Sequence, residues 1–324
     1  MRRRAFIAAL PGAALGFSAW AKESARIAVL GSGREDAGLS IDQMTWLRSG
    51  LRGVGLIEGQ DFTFEARWAD GDYDRFRHLA AELIGKQPAA IVVSTIAAAE
   101  AAREVSKTIP IVMTGLNDPV AAGLATSLAR PGGNITGMAT MNEEVILKLL
   151  GLIPSVLPRT KRIAAMLNPA NPSNPAMMVK LRQEAVRVGF LVETVEVATP
   201  SALDKAFEQL RHYEPDLLIV MPDNALYSLS EAIMSRALAA RLPTVSSSQQ
   251  MSLAGALITY GFLRREAIER TGFYLKRIID GARPADLPIE QPTKFNLVVN
   301  LKTAELLGIE IPLAVLAQAD EVIE

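Results

Sequence analysis

The 324-residue chain predicts an α/β protein of two similar lobes, each a parallel sheet covered by helices on both faces. Three observations carry that expectation. Short apolar strands alternate with amphipathic helices along nearly the whole chain, with brief connections between them. The order then repeats, because each half runs from its first strand to its fourth within roughly 80 residues. Finally, about 300 residues remain once the first 21 are set aside, more than one hydrophobic core ordinarily supports.

Residues 1–21 read as an export signal. Arg2, Arg3 and Arg4 precede an apolar run from Ala5 to Trp20, and Ala19-Trp20-Ala21 has the small-x-small form of a signal-peptidase site, so cleavage is expected near Ala21. Pro11, Gly12 and Gly16 break the run, which argues against a retained membrane anchor. Arg3-Arg4-Ala5-Phe6-Ile7 approximates the twin-arginine pattern without its leading Ser/Thr and trailing Lys, so Sec and Tat export both stay open. The absence of cysteine excludes disulfides, a thiolate zinc site, a cysteine nucleophile and a lipoprotein acceptor. Soluble periplasm is the expected location. Losing three arginines and no acid moves the net charge from −1 to −4, with charges dispersed, which gives no footprint for nucleic acid.

Within the first lobe, Arg26 to Gly31 is an apolar strand, Leu39 to Val54 carries Ile41, Met44, Leu47 and Leu51 at helical spacing, and Phe62 to Trp68 alternates apolar with polar residues. Tyr73 to Ile84 is an amphipathic helix, Ala89 to Val93 a buried strand, and Ala97 to Ser106 an alanine-rich helix. A strand from Ile109 to Met113 follows and ends in the small, polar residues Thr114, Gly115, Asn117 and Asp118. A short helix, the Pro131-Gly132-Gly133-Asn134 turn and a strand from Ile135 to Met138 complete the lobe.

In the second lobe, helix Glu143 to Ile153 is expected to stop before Pro154. Strands at Arg162 to Leu167, Leu191 to Val197, Asp216 to Met221 and Thr244 to Ser246 alternate with helices at Pro175 to Val188, Ala202 to His212 and Ala225 to Ala240. The tail adds strand Ala256 to Tyr260, helix Arg264 to Asp280, strand Phe295 to Asn300 and helix Leu301 to Leu307. The chain therefore divides into a lobe of residues 24–137 plus about 262–292 and a lobe of 138–261 plus about 293–324, joined by a multi-crossover hinge.

Several phrases together resemble one family: the N-terminal RRRAF; Asp118-Pro119 followed by Leu128 to Gly137 (LARPGGNITG); Leu167 to Pro172 (LNPANP); and Asp286 to Phe295 (DLPIEQPTKF), continuing into Asn300 to Ala304 (NLKTA). It is the ABC-transporter substrate-binding family that includes the tryptophan/tyrosine-binding proteins. The resemblance covers essentially the whole chain after the export signal. It implies a type I periplasmic-binding fold of two Rossmann-like lobes, three crossovers, a ligand closed in the cleft and an inner-membrane permease as partner. For ligand it implies an amino acid or a similar small metabolite, aromatic ones included.

Strand ends locate the candidate site. The carboxyl ends of two facing parallel sheets point at the cleft, where the following helices offer free N–H groups to a carboxylate or phosphate. First-lobe candidates are Ser32, Ser94, Thr95, Thr114, Asn117 and Asp118; second-lobe candidates are Asn168, Asn171, Asn174, Asp223, Asn224, Ser247 and Gln249. Asp118 or Asp223 would pair with a ligand ammonium, and Tyr260 at the return hinge would stack on an apolar part. Each also has a plainer reading. Ser94 and Thr95 suit a helix cap, as do Asp223 and Asn224; Asp118-Pro119 suits a turn; the Asn168 to Pro175 loop suits a rigid connector; and Tyr260, Trp46 and Trp68 suit packing. The small, polar loops weigh against an aromatic ligand.

Catalysis finds little support. His78 and His212 sit among charged residues on helices without triad or metal partners, and Asp36 stands where the dinucleotide fingerprint needs its third glycine. No cofactor or metal is expected. The function read from the sequence is a periplasmic capture protein, acting as a monomer, with a ligand sensor for a membrane receptor and a Rossmann-like periplasmic enzyme as alternatives.

Overall fold

The computed structural model describes residues 24–324, so the export-signal reading of residues 1–21 lies outside the described residues. The first lobe holds β1 (Ala25–Gly31), α1 (Gly38–Gly53), β2 (Phe62–Trp68), α2 (Phe76–Gly85), β3 (Ala90–Val93), α3 (Ile96–Val105), β4 (Ile111–Asn117) and β5 (Ile135–Thr140). Its five strands are all parallel, in the order β2-β1-β3-β4-β5. Alternation builds two cores from one sheet. Ala28, Leu30, Ile91 and Val93 face α2 and α3, while Ile27, Val29, Ala90 and Val92 face α1.

After β5 the chain enters the second lobe through α4 (Asn142–Val156), β6 (Arg162–Leu167), α5 (Asn174–Arg187), β7 (Leu191–Glu196), α6 (Leu203–Tyr213) and β8 (Leu217–Val220). It continues through α7 (Asn224–Ser228), α8 (Ser230–Ala239), β9 (Thr244–Ser246), α9 (Gln249–Ala254) and β10 (Ile258–Phe262). It then returns to the first lobe as α10 (Arg264–Ile279), and crosses a third time into β11 (Phe295–Asn300), α11 (Leu301–Leu307), α12 (Leu313–Leu316) and β12 (Glu321–Ile323). The second sheet has seven strands in the order β12-β11-β10-β9-β8-β6-β7. Again one sheet feeds two cores, with Ile163, Ala165, Leu217 and Ile219 on one side and Ala164, Met166, Leu218 and Val220 on the other.

Helix α10 belongs with α1, against which it packs extensively. The two helices meet at glycines. A Cβ on Gly272 would stand 2.3 Å from the carbonyl carbon of Gly50, and one on Gly50 would stand 2.1 Å from the Glu269 carbonyl oxygen. Backbone therefore touches backbone, which fixes the start of α10 over the cleft. The segment after α10 also stays with the first sheet. Glu290 donates its N–H to Gly137 O at 3.0 Å and its carbonyl accepts from Ala139 N at 2.8 Å, beside β5.

The structure departs from the sequence reading at definite points. Strand β4 does not end at Met113 but runs to Asn117, because Gly115, at φ +128°, takes up a register shift against β5 and lets the polar residues stay in the ladder. No helix follows Pro119. Gly123 at φ +65° and the Leu124 N–H to Pro119 carbonyl bond at 2.8 Å close a single turn instead. Pro154 lies inside α4 close to its end at Val156, so its missing N–H forfeits one intrahelical bond without ending the helix, and Leu157 N donates to Ile153 O at 2.7 Å beyond it. The helix expected over 225–240 breaks at Leu229 into α7 and α8. Strand β11 runs antiparallel to β10, and α9, α12 and β12 are too short to show a period. Among the described residues, no helix is long and apolar enough to cross a membrane.

Candidate functional site

The carboxyl ends of β3, β4, β8 and β9 converge on one cleft between the lobes. First-lobe lining comes from Tyr73, Ser94, Thr95, Thr114 to Asn117, Arg264 and Ile268. The facing side is formed by Asn171, Pro222, Asp223, Asn224, Tyr227, Ser247 and Ser248, with Asn142 and Phe262 at the crossings. The cavity they leave is about 80 Å³, room for several water-sized groups.

Asp223 anchors the second-lobe wall. Its carboxylate caps α7 by accepting from Ala225 N at 2.9 Å and Leu226 N at 3.1 Å. It also accepts from Asn171 Nδ2 at 3.0 Å, Asn168 Nδ2 at 3.4 Å and, across the cleft, the Tyr73 hydroxyl at 2.9 Å. Burial raises the Asp223 pKa, and those donors oppose the rise. The Tyr73 hydroxyl is held well above its ordinary value, first by burial and then by the Asp223 charge.

A second bridge runs through Asn224. Its Nδ2 donates to the Ser94 carbonyl at 3.0 Å, and its Oδ1 accepts from Arg264 Nη1 at 2.7 Å, so one second-lobe amide holds two first-lobe groups. Both bridges exist with the lobes together. Arg264 Nε is buried without a partner, and burial lowers the guanidinium pKa. Ser94 Oγ and Ser248 Oγ are likewise buried and unpartnered. Tyr227 and Ser247 instead satisfy one another at 2.7 Å, and burial pushes the Tyr227 hydroxyl up to about 12.

The family model described as ABC transporter substrate binding protein matches residues 37–323. The chain belongs to that family. A tyrosine-binding protein of Clostridioides difficile (strain R20291) is 25% identical to this substrate-binding protein over 260 residues, 80% of this chain and 74% of the relative. The structure of a Streptococcus pneumoniae ABC domain in complex with L-Trp has 24% identity and a TM-score of 0.85, covering 93% of this chain and 100% of that one. A ligand-free, open structure of a Clostridium difficile substrate-binding protein with adhesive properties has 23% identity and a TM-score of 0.64, covering 93% and 99%. The two structures share this protein's fold of two α/β lobes.

Eight of the residues predicted from strand ends line the cleft of this substrate-binding protein: Ser94, Thr95, Thr114, Asn117, Asn171, Asp223, Asn224 and Ser247. Within it, Thr95 caps α3 by accepting from Ala98 N at 3.1 Å, and Asn117 accepts from Asn142 N at 3.0 Å across the first crossing. The other six stand elsewhere. Asn168 and Asn174 are buried in the loop behind Asn171, where the Asn174 amide donates to the Asn168 carbonyl. Ser32 is buried at the end of β1, in a small neighbouring hollow. Asp118 accepts from Ala121 N at 2.9 Å in its turn, Gln249 donates to Glu321 at 3.0 Å on the surface, and Tyr260 stacks on Phe295 in the second core.

The sequence reading did not place Tyr73, Asn142, Tyr227, Phe262 or Arg264 in the cleft. For Arg264 a signal existed. A cation at the first residue of a helix opposes the helix dipole, and such a charge needs another reason to be there. Tyr73 follows β2 by a few residues and obeys the same strand-end rule as Ser94.

Proposed function

We propose that this protein captures a small organic metabolite, an amino acid or a compound related to one, in the inter-lobe cleft and hands it to an ABC permease in the inner membrane. The supporting observation is the cleft itself: residues of both lobes line one space between the two sheets, and Arg264 Nε, Ser94 Oγ and Ser248 Oγ on residues of that lining are buried and unpartnered. A ligand that satisfies those atoms binds the closed lobes better than the open ones, and closes the protein by that difference. The names of relatives that bind tyrosine and L-Trp support the amino-acid end of the range.

The moving bodies in this proposal are residues 24–137 with about 262–292 and residues 138–261 with about 293–324. The ligand touches Ser94, Thr95, Thr114, Asn117, Asn171, Asp223, Asn224 and Ser247, together with Tyr73, Tyr227, Phe262 and Arg264. The protein works in the periplasm as a monomer and returns its ligand unchanged. Mass spectrometry of small molecules released by denaturing the purified protein, followed by a thermal-shift panel built on them, tests this. A released compound that raises the melting temperature on return supports capture, because a ligand of the native state stabilises it by mass action. A compound consumed on return replaces capture with catalysis.

A further inference from the structure

Among the described residues that line the cleft, Arg264 is the one base and Asp223 the one acid, and they are in opposite situations. Asp223 accepts five hydrogen bonds, from Tyr73, Asn168, Asn171, Ala225 and Leu226. Two carboxylate oxygens have no room for a further donor of ammonium type. Asp118, the other acid the sequence offers for an ammonium, does not line the cleft and accepts from Ala121 N in its own turn. The cleft therefore has no free carboxylate for a ligand amine.

Arg264 is the reverse. Among the described residues it forms no ion pair, and its hydrogen bond at 2.7 Å goes to a neutral amide oxygen, Asn224 Oδ1. Its Nε has no partner, although the guanidinium is buried. An enclosed cation with no ion pair, and only the charge of Asp42 at a distance, is costly, and an anion arriving in the cleft lowers that cost. The planar guanidinium fork suits an oxyanion. One guanidinium seats one carboxylate, whereas a dianionic phosphate would bring a second charge that no cation of the cleft meets, with Asp223 also lining it.

We infer that the ligand is a monoanionic carboxylic acid without an α-ammonium group, its carboxylate seated on Arg264 and the Ser94 and Ser248 hydroxyls open to its remaining polar groups. This rests on the capture reading and narrows it. The apolar lining of Ile96, Leu116, Phe262 and Ile268 receives the rest of the acid.

Matched pairs that differ only in the amino group test the inference: 3-phenylpropanoate against L-phenylalanine, 3-(4-hydroxyphenyl)propanoate against L-tyrosine, and 4-methylpentanoate against L-leucine. They are measured by thermal shift and calorimetry, alongside the mass of any compound released from the purified protein. The expected result is that acids bind and their amino-acid partners bind at least about tenfold more weakly. Arg264→Met should weaken the acid by about tenfold or more while leaving the ligand-free melting temperature equal or higher, because an unpaired buried charge is removed. Arg264→Lys should keep part of the affinity. Preferential binding of the amino acids, or release of an amine-bearing compound, overturns the carboxylic-acid assignment and leaves capture standing. No release and no binding by either member of any pair overturns both.

Discussion

Across the cleft, the Tyr73 hydroxyl donates to Asp223 Oδ2 at 2.9 Å, joining the end of one sheet to the helix cap of the other. Both groups are buried, so this bond exists only when the lobes are together. Tyr73→Phe removes it without changing the ring. A hydrogen bond to a buried carboxylate contributes roughly 1.5–3 kcal/mol, so the closed form should lose about that much. Ligand affinity should fall by about tenfold or more in calorimetry. An unchanged Kd would show that the bond does not favour closure.

The Gly50 to Gly272 contact predicts a different loss. In Gly272→Ala the new Cβ meets Gly50 backbone at 2.3 Å, and backbone cannot swing aside as a side chain can. Overpacking of this kind costs about 1–3 kcal/mol, and urea unfolding should place this variant at the upper end. Because α10 must move to relieve the clash, Arg264 moves with it, and ligand binding should weaken beyond what stability alone explains. A variant of wild-type stability would contradict the packing.

Thr95→Ala deletes the cap of α3. The cost should be about 1 kcal/mol in chemical denaturation, recovered in Thr95→Ser, whose hydroxyl keeps the bond to Ala98 N. Equal stability of the alanine and serine variants would exclude capping as the hydroxyl's role.

Acid should loosen the third crossing. Arg270 donates to Glu290 from Nη2 at 2.7 Å and Nε at 2.9 Å, and this holds the Glu290 carboxyl below its ordinary value. A depressed acid stabilises the fold above its unfolded pKa, and that contribution is lost as pH falls through the folded value. Both side chains are more than a third exposed, so solvent screening limits the contribution to at most about 1 kcal/mol. The stability gap between wild type and Glu290→Gln should therefore be present at neutral pH and shrink below about pH 4. A gap that stays constant into acid would assign the loss to something other than the ion pair.

Much of the scaffold could be read from the chain because period-2 apolar runs such as RIAVLG and RIAAML serve two cores at once. What escaped has local causes. Polar Thr114 and Asn117 resemble a loop until Gly115 provides the bulge that keeps them in β4, and Pro154 resembles a stop until the helix proves to end just beyond it. In the cleft, strand-end reasoning reached Ser94, Asn171 and Asp223. It passed over Tyr73 and Arg264, which helical periodicity had already assigned to amphipathic helices. Asn168 and Asn174 share the composition of Asn171 but support it from behind, a distinction that depends on three-dimensional placement.

Arg264 is the opening residue of a helix whose position is secured a few turns later, at the glycine contact with α1. Its side chain closes no core and caps nothing. In the proposed capture, the charge presented to a bound molecule is thus set at a residue whose one side-chain hydrogen bond is the bridge to Asn224. A single codon change there could redirect the protein toward a cationic or uncharged cargo while both sheets, the crossings and the permease-facing surfaces stayed as they are. Paralogues could diversify in what they carry by drifting at this one position.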